Sequence, residues 1–180
     1  MYDSSWIMST IASTNLIDRK KETLNPIYNT KLDMTTITFT VQIDASPEKV
    51  WHSLWDSENY KIWTTPFCQG SYYKTDHFTE GNKIHFLTPD GQGMYSVIEK
   101  IDPYEYLAFR HIGNIKNFEE LPIDNETEKW TNALETYRLV QVDSGITLTV
   151  IVDTVDNFFD FMNKVFPLAL NELKNISENN

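Results

Sequence analysis

Between residues 36 and 43 apolar and polar side chains alternate strictly: Ile37, Phe39, Val41 and Ile43 fall on one side, Thr36, Thr38, Thr40 and Gln42 on the other. That period of two predicts a strand with one buried face. The period changes at once in "DASPEKVWHSLWD". Ser46 is placed as an N-cap, Pro47 at the first helical position and Glu48 in the first turn, so a helix begins there. Val50, Leu54, Trp51 and Trp55 give it an apolar side, and a second short helix is expected from Ser57 to Trp63, ending near Pro66. Strand-like runs then follow at hairpin spacing: "CQGSYYKT", "KIHFLT", "MYSVIEKI", "YLAFRHI", "ALETYRLVQV" and "ITLTVIVDT". "EGN", "PDGQG" and Asp143-Ser144-Gly145 supply turn chemistry between them. At the C-terminus Phe159, Met162, Phe166, Ala169 or Leu170, Leu173 and Ile176 recur every three to four residues, the stripe of an amphipathic helix. Pro167 lies inside that stripe and must either kink the helix or start a second segment.

The order is therefore strand, two short helices, six strands and one long helix. It predicts an α+β fold in which a curved sheet of seven antiparallel strands wraps a long C-terminal helix. A bent sheet cannot close along the whole length of one helix, so the expected residue of this geometry is an internal, aromatic-lined hydrophobic cavity. Residues 1–35 differ: they are rich in Ser, Thr, Asn and Lys, lack a sustained period and contain a turn-like "LNPIYNT". They are expected to form an N-terminal extension to a domain spanning residues 36–178. Two readings of that extension stay open, a flexible arm or a segment upstream of a true start at Met34.

Composition narrows the function classes. With 41% hydrophobic and 23% charged residues the chain has the balance of a globular protein. A formal net charge of -11 argues against nucleic acid and against anionic membrane surfaces as partners. The single cysteine, Cys68, forms no internal disulfide. No stretch approaches the roughly 20 apolar residues of a membrane span, so no membrane insertion is expected. The N-terminus also lacks the basic and apolar regions of a signal peptide, and a cytoplasmic location is expected.

Several strings resemble the START-like or Bet v 1-like (SRPBCC) superfamily, with its helix-grip fold. They are "ITFTVQIDASPEKVWHSLWD", "YKIWTTPF", "FTEGNKIHF", "DGQGMYSVIEKIDPYEYLAF", "ETYRLVQVDSGITLTV" and "VFPLALNELKNISE". Their order most resembles the bacterial stand-alone branch related to the C-terminal domain of the activator of Hsp90 ATPase. The resemblance implies a cavity between sheet and long helix, but not its contents, since the superfamily includes lipid carriers, cyclases, hormone receptors and co-chaperone domains. Two features depart from the family pattern: the N-terminal extension, and the acidic connection "GNIKNFEELPIDNETEKW", which at the cavity mouth would act as a lid.

The candidate ligand-binding set is Trp55, Trp63, Phe67, Phe86, Phe109, Tyr137, Phe159, Met162 and Phe166, a broad adaptable apolar surface. Any one of these taken alone is better explained as core. On strand five, Leu107, Phe109 and His111 are read as inward, with Arg110 a further polar candidate. Glu135 and Tyr137 share a face of strand six, so a Glu–Tyr–His cluster of His111, Glu135 and Tyr137 is the only catalytic candidate. A lone histidine in such a place is more often a hydrogen-bonded structural residue. His52, His77, His85 and His111 lack ligand-like spacing, so no metal is expected, and no cofactor is implied. No Gly-x-Ser-x-Gly elbow or dinucleotide loop occurs.

The leading expectation is a module that binds a small hydrophobic molecule. The alternatives are a protein-interaction domain, co-chaperone-like and tied to stress response or forming a homodimer, and a cyclase- or hydrolase-type enzyme.

Overall fold

The computed structural model describes residues 34–179; the expected N-terminal extension, apart from its last two residues, lies outside them. The elements follow the expected order. Strand β1 (Thr35–Ile43) leads into helices α1 (Pro47–Trp55) and α2 (Ser57–Trp63), followed by β2 (Tyr72–Lys74), β3 (Lys83–Leu87), β4 (Gly93–Asp102) and β5 (Tyr106–Lys116). A two-residue strand β6 (Glu119–Glu120), β7 (Leu134–Val142), β8 (Gly145–Thr154) and the long helix α3 (Asp156–Asn179) complete the chain. The strands form one antiparallel sheet in the order β1-β8-β7-β5-β4-β3-β2, with β6 added beside β5.

Each local choice has a physical cause. The alternation in β1 buries Ile37, Phe39 and Ile43 and leaves the threonines outward. The Ser46 hydroxyl accepts from the Lys49 amide at 3.3 Å, and Pro47 opens α1 where its missing N–H costs nothing. Asp56 ends α1 and caps α2, accepting from the Glu58 and Asn59 amides at 3.1 and 3.2 Å. Asp56→Ala should cost about 1 kcal/mol in chemical denaturation, with Asp56→Asn retaining most of the cap. An unchanged midpoint in the alanine variant would contradict that role. The buried Trp63 indole donates to the Leu54 carbonyl at 3.0 Å, fastening α2 to α1.

Helix α3 runs as one element through Pro167. It buries Val165, Phe166, Ala169, Leu170, Leu173 and Ile176, and packs on β1, α2 and α1. Burying side chains such as Phe166, Leu170 or Leu173 contributes roughly 1.5–3 kcal/mol each. The C-terminal end of α3 is also tied to the end of β1. Lys174 donates to the Gln42 carbonyl at 2.6 Å and Glu178 accepts from the Asp44 amide at 2.8 Å. That amide, with Lys174, holds the Glu178 carboxyl below the ordinary carboxylate range. Among the described residues no helix is long and apolar enough to cross a membrane.

Two departures from expectation concern the acidic connection and the second expected strand. β5 continues to Lys116 and turns through Asn117 and Phe118, at φ 53° and 66°, into β6. Glu120 then pairs with Lys83 at 2.8 Å and His85 at 2.7 Å, while the Leu121 carbonyl meets the Tyr95 hydroxyl at 3.4 Å. This part of the connection therefore sits on a small second cluster of Leu87, Tyr95 and Ile115, rather than over the main core as a lid would. Expected strand "CQGSYYKT" shrinks to Tyr72–Lys74, because Gln69 and Gly70 complete a turn in which the Ser71 amide bonds the Cys68 carbonyl.

Candidate functional site

Strand register aligns the site. Across the inward face of the sheet Ile37, Val152, Glu135 and Phe109 stand in one row, and Phe39, Val150, Tyr137 and Leu107 in the next. Glu135 is thus an acidic side chain in an otherwise apolar row. At the β4–β5 pairing one extra residue, Ile112, lies between Tyr95↔Gly113 and Ser96↔His111, and this bulge sets His111 opposite Ser96.

Four polar side chains meet as a result. Ser96 Oγ lies 2.8 Å from His111 Nδ1, His111 Nε2 lies 3.5 Å from Glu135 Oε2, and the Tyr137 hydroxyl donates to Glu135 Oε1. A carboxylate oxygen calls for a donor, so Nε2–H faces Glu135 and Nδ1 accepts the Ser96 hydroxyl proton. Ser96 is fully buried; the side chains of His111 and Glu135 are 7% and 21% exposed. The line therefore runs from the interior toward solvent, with Glu135 at its wetter end.

Aromatic rings surround it. Trp55 packs edge-on against Tyr137 at 5.0 Å and Phe109 at 5.4 Å, and Phe86 meets Phe109 at 5.0 Å and the His111 ring at 6.5 Å. Tyr60 bridges Trp63 at 5.4 Å, Tyr73 at 5.1 Å and Phe86 at 6.4 Å. Burial, followed by the Glu135 charge, pushes the Tyr60 and Tyr137 hydroxyls above the ordinary phenol range, so both remain protonated. The Trp55 indole N–H is buried and has no hydrogen-bond partner among the described residues. An unmatched donor of this kind costs roughly 1–3 kcal/mol.

The sequence-chosen residues divide into three groups. Trp55, Trp63, Phe109, Tyr137 and Phe166 are buried in the main cluster, and Phe67, Phe86 and Met162 are partly buried against it. Phe67 stands edge-on to Phe166 at 4.9 Å, and Phe166 stacks on Phe39 at 4.8 Å. Phe159 stands apart, 39% exposed and outside the cluster, so its inward placement is corrected. His111, Glu135 and Tyr137 do converge. Arg110 does not join them: alternation turns it outward, where it pairs with Glu99 at 2.8 Å and Asn132 at 3.2 Å. Sequence reasoning missed Ser96, Tyr60 and Tyr73. Tyr60 had a local signal, three residues before Trp63 on one helix, but Ser96 had none because only the bulge aligns it. Among the described residues no group of three or more His, Cys, Asp or Glu side chains could hold a metal ion.

A family model described as Activator of Hsp90 ATPase homolog 1-like protein matches residues 44–177. A search of curated proteins gives no match. Solved structures share the fold. The solution structure of the Aha1 dimer from Colwellia psychrerythraea has 22% identity and a TM-score of 0.61, covering 81% of this chain and 98% of that one. CalU16 from Micromonospora echinospora has 16% identity and a TM-score of 0.57, covering 81% of this chain and 78% of its own. MLL2253 from Mesorhizobium loti has 14% identity and a TM-score of 0.60, covering 79% of this chain and 96% of its own. At these identities the neighbours establish architecture alone. The family match, spanning most of the chain, establishes that this protein belongs to the Activator of Hsp90 ATPase homolog 1-like family.

Proposed function

We propose that the protein binds a small, largely apolar molecule between the sheet and α3. The supporting observation is the graded burial of the interior wall. Trp55, Phe109 and Tyr137 are buried, whereas Phe67, Phe86 and Met162 keep partial exposure and Glu135 offers a polar handle. Rings and a flexible thioether with a few polar groups among them suit recognition of a compact greasy ligand.

The test is a thermal-shift and titration series with neutral apolar probes, beginning with Nile red and naphthalene derivatives. Saturable binding with one site should raise the melting temperature, since ligand at a hundredfold excess over Kd stabilises by about 2.7 kcal/mol. Native mass spectrometry of the purified protein should also retain a co-purified small molecule. Unshifted melting with every probe, together with a bare mass, would end this reading.

A second reading, acid–base catalysis, draws on the convergence of Ser96, His111, Glu135 and Tyr137. Its weakness is access. Both histidine nitrogens face protein groups, and Ser96 has no solvent-facing surface. A general base must lie within about 3 Å of the proton that it takes. Only Glu135 among the four has appreciable exposure, so the cluster suits recognition better than turnover. A homodimer is the third possibility, suggested by the dimeric Colwellia neighbour; light scattering on the purified chain would decide it.

A further inference from the structure

Glu135 is the feature of the interior that apolar binding alone leaves unexplained. Glu135 is only about one-fifth exposed, and partial desolvation of a carboxylate in an apolar row is costly unless donors or an opposite charge compensate it. One oxygen of Glu135 takes the Tyr137 hydroxyl. Its other oxygen faces His111 Nε2 at 3.5 Å, longer than the roughly 2.7–3.2 Å of a direct hydrogen bond. A carboxylate offers about four lone-pair sites. Among the described residues no lysine or arginine pairs with it. Arg110 on the neighbouring strand β5 and Arg138 on β7 itself turn to the outer face: Arg110 pairs with Glu99 at 2.8 Å, and Arg138 lies over the Tyr106 ring at 4.5 Å.

Rings surround that under-matched charge. Phe109 is directly opposite Glu135 in the β5–β7 register, Phe86 packs edge-on to Phe109 at 5.0 Å, and Tyr60 stacks beyond Phe86 at 6.4 Å. The face of an aromatic ring is electronegative, so rings next to a carboxylate favour a cation, above all where water is excluded. Neither phenol opposes this, because burial and the nearby Glu135 charge keep Tyr60 and Tyr137 protonated and neutral. The chain's net charge of -11 adds a field that attracts cations.

We propose that the interior ligand is an organic cation, an apolar ring system carrying a protonated amine that lies against Glu135 and the partly exposed ring of Phe86, with the buried Phe109 and Tyr60 rings behind it. The amine donates to the Glu135 oxygen that His111 leaves under-matched, while the ring system takes the partly exposed apolar wall of Phe67 and Met162. This deepens the reading of an apolar binding site and rests on it.

Three probes of one shape and different charge test it: 1-naphthylmethylamine, 1-naphthalenemethanol and 1-naphthoic acid, each titrated calorimetrically near neutral pH. The amine should bind about tenfold or more tighter than the alcohol, and the acid weakest. In Glu135→Gln, which keeps an acceptor for the Tyr137 hydroxyl, the amine and the alcohol should bind within a factor of about 3 of each other. Equal affinity of wild-type protein for amine and alcohol would overturn the proposal, as would an amine preference that persists in Glu135→Gln. Should that variant not fold, the wild-type series decides alone. Alcohol and acid binding without the amine would remove only the cation proposal. Failure of all three probes would remove the apolar site together with it.

Discussion

Phe109→Ala is expected to lower the unfolding free energy by about 3–5 kcal/mol, enough to take much of the margin of an ordinary domain. The ring is fully buried and packed against Phe86 at 5.0 Å, Trp55 at 5.4 Å and Tyr137 at 6.4 Å. Two of those neighbours are themselves held by hydrogen bonds. The Trp55 backbone carbonyl accepts from the Tyr73 hydroxyl, which fixes the end of α1, and the Tyr137 hydroxyl donates to Glu135, which holds that ring, so the surroundings cannot collapse freely into the space left behind. The loss therefore includes a cavity as well as the transfer of the ring. Urea denaturation should show a lower midpoint at unchanged slope. Phe159→Ala makes the matched control. That ring came from the same sequence-based set, but its 39% exposure should confine the cost to within about 0.5 kcal/mol. Similar costs for the two variants would contradict the assignment of one ring to the core and the other to the surface.

The same pair shows what the sequence could reveal and where it stopped. Phe159 and Phe166 are seven residues apart, and over seven residues a straight helix drifts by only about 20°. Periodicity alone thus puts both rings on one face. Burial also depends on what lies opposite at that level of the helix, and periodicity carries no information about that. Strands were legible for a related reason. Alternation is local, so the inward placement of Phe109, His111, Glu135 and Tyr137 followed from period two within β5 and β7. Alignment between strands is not local. The meeting of Ser96 with His111 depends on an extra residue in β5, and a bulge of that kind leaves no mark in a hydrophobicity pattern. β6 was hidden for another reason: two adjacent glutamates carry no apolar alternation, and only their pairing with β5 and the contacts of Glu120 with Lys83 and His85 make them a strand. Glu135 was visible as a polar residue on an inward face. Its under-matched charge became apparent only with the distances to His111 and Tyr137.

Gly145→Ala should be nearly as damaging as the loss of Phe109, by a mechanism that involves no apolar surface. Gly145 opens β8 at φ 107°, a conformation costly for any side chain. An added Cβ would also lie 2.1 Å from the Ile43 carbonyl oxygen, 2.8 Å from Asp44 Cα and 2.9 Å from the Ala45 nitrogen. All three are backbone atoms at the junction between β1 and α1, where no rotamer change can relieve the overlap. That junction is anchored, with Ile43 fully buried and the Asp44 amide bonded to Glu178 on α3 at 2.8 Å. The backbone conformation accounts for about 1–3 kcal/mol and the overlap for a similar amount, so a total of about 2–6 kcal/mol is expected. Gly81→Ala separates the two contributions. Gly81 has φ 80° but no atom within 4 Å of the added Cβ, leaving only the conformational cost of about 1–2 kcal/mol. Each kcal/mol lowers the melting temperature by about 2–4 °C at this chain length. Gly145→Ala should therefore melt well below Gly81→Ala, and coincident melting curves would show that the β1–α1 junction yields to the extra methyl group.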